Sequence, residues 1–125
     1  MHLGVIGLGS LGANMARLLA EDGYPVHAFD IEPARTAAAA EQRGVTGHNS
    51  ARAVAENSTL VLLSLPQSEA VAVACLEPGG LVEGARRGLL VVDTTSGYPE
   101  RTKEIADTLK VTPLRHHSDI LVEAL

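Results

Sequence analysis

Aromatic residues are nearly missing from this chain: Tyr24, Phe29 and Tyr98 are the only three, and there is no tryptophan. Surfaces that grip single-stranded nucleic acid stack bases on aromatic rings, so that class is disfavoured at once. Basic charge is scarce too. Ten lysines and arginines face fifteen acids, a net charge of −5, and no basic cluster exceeds Arg86-Arg87. Neither nucleic acid nor an anionic membrane meets a complementary field. The single cysteine, Cys75, excludes an internal disulfide and suits a reducing compartment. It lies in an apolar helical stretch and reads as packing rather than nucleophile. No apolar run reaches membrane-spanning length, and the N-terminus enters an apolar stretch without a basic leader or cleavage site. The expectation is a cytoplasmic protein with no membrane and no nucleic-acid partner.

What the chain does have is alanine, valine, leucine and glycine, in 125 residues. That length makes one domain, able to bury roughly two-thirds of its unfolded surface. Small aliphatic residues suit close helix–sheet layers. The chain is organised around its opening stretch, Leu3 to Met15, where an apolar run meets Gly7, Gly9 and Gly12 in the order G-x-G-x-x-G. In a Rossmann unit the first glycine turns the chain off a strand. The second lets backbone approach a pyrophosphate, and the third lets helix and strand pack closely. The helix start then presents free N–H groups and a positive dipole end to phosphates. A second apolar stretch ends at Asp30, eighteen residues past Gly12, a spacing that suits a carboxylate for ribose hydroxyls. The alternative is a glycine-rich turn in another α/β unit, with Asp30 capping a loop.

Periodicity lays out the rest. A helix is expected from Ser10 to Asp22, a strand from Pro25 to Phe29, and a helix from Pro33 to Arg43 with Gly44 beyond its end. Val45-Thr46 is a minimal strand, and Ser50 caps a short helix through Glu56. Leu60 to Leu65 is continuously apolar, as in a parallel strand covered on both faces. A helix over Ser68–Leu76 and a Pro78-Gly79-Gly80 turn follow. Another buried strand spans Gly88–Val92 and leads into Asp93–Gly97. The last helix begins near Pro99, with Ile105, Ala106 and Leu109 on one face. Strands alternating with helices predict a single α/β domain, a Rossmann-type doubly wound parallel sheet over residues 1–110. Beyond it, Val111–Leu114 is open to a short strand, and Arg115–Leu125 to a terminal helix or a frayed tail. The five histidines (His2, His27, His48, His116, His117) show no metal-ligand spacing.

Ligands of open α/β sheets lie beyond the carboxyl ends of the strands. Those ends here are Gly7–Gly12, Asp30, Leu65-Pro66 and Asp93–Gly97, and topology alone brings them to one edge. Thr95 and Ser96 carry hydroxyls to that edge; a hydroxyl-capped turn is their other reading.

Val5 to Ala16 resembles the N-terminal signature of the β-hydroxyacid dehydrogenases, the family of 3-hydroxyisobutyrate, tartronate semialdehyde and 6-phosphogluconate dehydrogenases. The pattern G-L-G-x-M-G-x-x-M-[SA] is matched except at Leu11, where methionine is usual. Leu65-Pro66 resembles the family's L-P after the fourth strand. Gly80–Gly88 resembles G-I-x-x-G-x-x-x-G, and Asp93–Pro99 resembles D-x-S-T-x-x-P with the two hydroxyl residues exchanged. The likeness runs from residue 1 to about 109. It implies that the turn formed by Gly7, Leu8, Gly9, Ser10, Leu11 and Gly12 contacts NAD, together with Asp30, Leu65, Pro66, Thr95 and Ser96. Asp30 is followed by Ile31 rather than by the arginine that often neighbours a 2′-phosphate, which favours NAD over NADP.

The family continues with a D-A-P-V-S-G-G segment and a helical domain bearing a catalytic lysine in G-x-x-x-K-x-x-N. Neither is in this chain, and Lys103 and Lys110 lack that surrounding pattern. No catalytic residue is therefore assigned. The expectation is the NAD-binding half of a 3-hydroxyisobutyrate dehydrogenase-like oxidoreductase, inactive alone, taking a small hydroxy acid only if a second domain is supplied. A truncated or frame-shifted product would lose the pattern after Lys110 in this way, as would a divergent natural terminus. Without that domain an apolar cleft face stays open, which leaves self-association into a homo-oligomer as an option. Two alternatives stand: a non-catalytic nucleotide-binding or assembly module, and the N-terminal half of an imine reductase-like enzyme.

Overall fold

Val5 and Ile6 are neighbours in sequence and belong to different cores. Successive residues of a strand point to opposite faces of its sheet, and both faces of this one are covered. In a computed structural model the structure describes residues 1–66, 68–85, 88–94 and 121–124. β1 (Leu3–Ile6) is buried along its whole length and lies between β2 (Val26–Phe29) and β4 (Leu60–Leu63), parallel to each. β3 (Val45–Gly47) extends the sheet beyond β2, and β5 (Leu90–Asp93) and β6 (Leu121–Ala124) extend it beyond β4. The six strands run in the order β3-β2-β1-β4-β5-β6, all parallel. This is a doubly wound Rossmann-type sheet. The winding reverses between β1 and β4, which places a ligand crevice at their carboxyl ends.

One face packs Val5, Val26, Ala28 and Val45 against Ala16, Leu19 and Ala20 of α1 (Ser10–Glu21) and Ala39 of α2 (Pro33–Ala40). The other packs Ile6, Val61, Leu63 and Val91 against three helices. These are α3 (Ala51–Glu56), α4 (Ser68–Leu76) and α5 (Leu81–Gly84), which bring Val54, Ala55, Val71, Cys75, Leu81 and Val82. Each fully buried Val, Leu or Ile side chain contributes roughly 1.5–3 kcal/mol relative to exposure. No helix among the described residues is long and apolar enough to cross a membrane.

Several boundaries differ from the sequence reading. α2 stops at Ala40 rather than Arg43, because the Glu41 and Gln42 amides reach back only three residues, to Ala38 and Ala39, at 3.3 and 3.2 Å. Gly44, at φ +91, then reverses the chain into β3. β4 ends at Leu63, short of Leu65, since its partner β1 turns away at Gly7 and only the Ser64 amide still reaches Ile6 O, at 2.9 Å. β5 begins at Leu90 rather than Gly88 and includes Asp93. α5 follows the expected Pro78-Gly79-Gly80 turn, in a segment to which the sequence reading gives no element. Ser50 does cap α3, its Oγ accepting from the Ala53 amide at 3.1 Å. The terminal stretch, read as helix or tail, contains strand β6 instead. Its Val122 pairs with Val91 across the sheet. The helix expected from Pro99 and the strand expected at Val111–Leu114 lie outside the described residues.

Candidate functional site

The crevice begins where β1 gives way to α1. Gly7 has φ +96, a left-handed conformation that side chains resist, and a Cβ there would strike the Ser64 backbone. A Cβ on Gly12 would land on the Gly7 carbonyl oxygen. These two glycines are therefore needed by the fold. Gly9 is different. It is the N-cap of α1, its backbone is ordinary extended chain (φ −69, ψ −167), and a Cβ on it would meet nothing within 4 Å. No side chain caps α1, and its first turn has no acid. The free amides of a twelve-residue helix thus open towards empty space beside Gly9.

Asp30 closes the turn from the next strand. It is only 6% exposed. Its Oδ2 accepts from the Leu8 amide at 2.7 Å and its Oδ1 from the Glu32 amide at 2.8 Å. Thr36 holds the Asp30 backbone in turn, with Oγ1 accepting from the Asp30 amide at 2.9 Å. One carboxylate thus ties the glycine turn to the entrance of α2. A carboxylate offers about four lone-pair sites, so two acceptor positions are left over.

These parts line a cleft of about 800 Å³, within the ~300–1,000 Å³ of small-molecule sites. Gly7, Gly9, Ser10, Leu11, Asp30, Ile31, Leu65 and Pro66 all face it. Ile31 is 81% exposed there, an apolar side chain at the lip of the cleft. Leu8 and Gly12, predicted with them, do not line the cleft. Leu8 packs into the core with Val5 and Ala16, leaving its amide to Asp30. Thr95 and Ser96 lie outside the described residues.

Sequence reasoning missed two walls. Asn49, Ser50 and Ala51 follow β3 and face the cleft; the strand-end rule finds them once it is applied to β3 as well. Ala70, Val73 and Ala74, one face of α4 at helical spacing, and Glu77 just past its end supply the other wall. Glu32 and Arg35 complete the rim beside Asp30. Arg35 places Nε 3.2 Å from Glu32 Oε2 and Nη1 3.9 Å from Asp30 Oδ2.

Asp93, Cys75, His2, His27 and His48 do not line this cleft. Asp93 is buried at the end of β5 beside Cys75, and the thiol, buried and near that acid, is pushed up to about 12. Three histidines, one just before β1, one in β2 and one just after β3, form a row, His2 Nδ1 to His27 Nε2 at 2.9 Å and His27 Nδ1 to His48 Nε2 at 2.8 Å. Burial, then the neighbouring His48 and His2, hold His27 below the usual histidine value. Burial also lowers His48, partly offset by Glu56.

Strand order, glycine turn and the acid ending β2 together define a dinucleotide-binding domain. Residues 2–116 match the family described as the NAD binding domain of 6-phosphogluconate dehydrogenase, and the chain belongs to that family. The 2-(hydroxymethyl)glutarate dehydrogenase of Eubacterium barkeri is 35% identical over 106 residues, covering 85% of this chain and 35% of the relative. The Mycobacterium tuberculosis 3-hydroxyisobutyrate dehydrogenase structure with L-serine superposes at TM-score 0.83 and 25% identity, over 97% of this chain and 38% of that one. A Myxococcus stipitatus imine reductase in complex with NADP+ shares the fold at TM-score 0.80 and 21% identity, over 100% and 41% of the two chains. The chain thus spans about a third of the curated relative's length.

Proposed function

We propose that this chain is the cofactor-holding part of a 3-hydroxy-acid dehydrogenase, with NAD preferred over NADP. The observation that carries the reading is the uncapped start of α1 opening onto the cleft at Gly9, a cradle that a Cβ would fill. The residues fit the group. Backbone amides of Ser10 and Leu11 bind the pyrophosphate. The spare lone pairs of Asp30 accept the ribose hydroxyls, while its other two keep the turn in shape. Ile31, Leu65, Pro66 and Val73 give the adenine apolar walls. Thr95 and Ser96 serve the nicotinamide end by resemblance to the family. NAD, when bound, supplies a hydride acceptor.

A proton must also leave the substrate hydroxyl, and a positioned base for it is worth roughly 10²–10⁴-fold. Among the described residues the acids that line the cleft are Asp30, Glu32 and Glu77, just beyond the ends of β2 and α4. We infer that the base and the hydroxy-acid pocket are supplied by a second domain, and that the protein works in the cytoplasm. The test is calorimetric titration of the chain with NADH and NADPH. Binding of NADH with a weaker NADPH isotherm supports the reading; no binding of either at millimolar ligand overturns it. An imine reductase relative is separated by adding the second domain and comparing a cyclic imine with 3-hydroxyisobutyrate.

A further inference from the structure

The two carboxylates at the cleft rim have unequal freedom. Asp30 is buried, and both its oxygens hold backbone amides of the turn. Glu32 extends into water at the N-terminus of α2, and among the described residues its side chain pairs with Arg35, at 3.2 Å. Arg35 lines the same cleft and stands 3.9 Å from Asp30. It is thus a cation already facing the ribose side of the site, with its charge shared between two acids. A cofactor carrying a 2′-phosphate would bring further negative charge into a cluster of two carboxylates and one guanidinium. Like charges brought together in this way are unfavourable.

We propose that Glu32 is the residue that sets discrimination against a 2′-phosphate, by occupying Arg35, and that Asp30 is chiefly the tie that shapes the turn. The inference rests on the cofactor reading above. It separates two roles that strand-end position alone assigns to one acid. Removing Asp30 leaves the Leu8 and Glu32 amides without their acceptor, so Asp30→Ala damages the site for either cofactor. Removing the charge of Glu32 leaves the turn intact and frees the guanidinium to make paired hydrogen bonds with phosphate oxygens.

The experiment measures NADH and NADPH dissociation constants by titration for four proteins: the parent, Glu32→Gln, Arg35→Met and the double variant. In Glu32→Gln the ratio of NADPH to NADH dissociation constants is expected to fall about three- to fivefold, the upper part of the range for one exposed charge interaction. In the double variant that gain should vanish. Raising the salt should shrink it, as screening of exposed charges requires. An unchanged ratio in Glu32→Gln, in a protein whose parent binds NADH, overturns the proposal and leaves the cofactor reading standing. A gain that survives removal of Arg35 overturns it as well. A parent that binds neither dinucleotide brings down the cofactor reading itself.

Discussion

Valine at Gly9 should remove cofactor binding and spare the fold. The Gly9 backbone lies where any residue is comfortable, and its Cβ would project into open cleft. The structural cost is then only that of a poorer N-cap, about 0.5–1 kcal/mol, or roughly 2–4 °C in melting temperature at this size. The functional cost is larger, because the branched side chain occupies the space in front of the free α1 amides. Losing that approach should weaken NADH about a hundredfold, near 2.7 kcal/mol. Gly12→Ala supplies the contrast. Its Cβ would collide with the Gly7 carbonyl, and overpacking of this kind costs about 1–3 kcal/mol or more. Thermal melts and NADH titrations of both variants form the assay. Gly9→Val with parental NADH affinity would refute the placement of the phosphates. Gly9→Val melting as low as Gly12→Ala would refute the open space.

Protons should weaken the fold in a window set by the histidine row. With both its nitrogens as donors His27 holds one added proton, but a second sets N–H against N–H and breaks a hydrogen bond. Since His27 and His48 are held below the ordinary value of 6.5, the unfolded chain binds protons first. Stability should be full above about pH 6.5 and fall as pH drops towards the lower folded values; melts between pH 7.5 and 5.5 should show the decline, and His27→Gln should flatten it. An equal slope in that variant would remove the row as the cause. Cys75, buried and pushed up to about 12, should resist a thiol reagent at pH 7.5 and react fully once the chain is denatured; rapid labelling of the native protein would count against its packing role. The chain with NAD alone should produce no NADH from 3-hydroxyisobutyrate, glycerate, threonate or serine. Turnover that disappears in Asp93→Asn or Thr95→Ala would relocate the catalytic group to this domain.

The sequence by itself determined the elements whose causes are local. The glycine turn is one, because Gly7, Gly9 and Gly12 act within a few residues of each other. The alternation of apolar runs with helical spacing is another, and it sufficed for a parallel doubly wound sheet with Asp30 at the crevice. Tertiary structure decided what depends on strand register. His2, His27 and His48 have no spacing that links them. They meet because Gly4 pairs with His27 and His27 with Thr46 across β1, β2 and β3, which puts all three on one face. Asp30 looked like a ribose ligand or a loop cap, and only the approach of Leu8, twenty-two residues away, makes it the tie of the turn. The α4 wall was invisible for a related reason: an apolar helix does not announce which of its faces stays uncovered. β6 likewise needs β5 beside it, since a four-residue strand gains its hydrogen bonds from its neighbour and not from its own sequence.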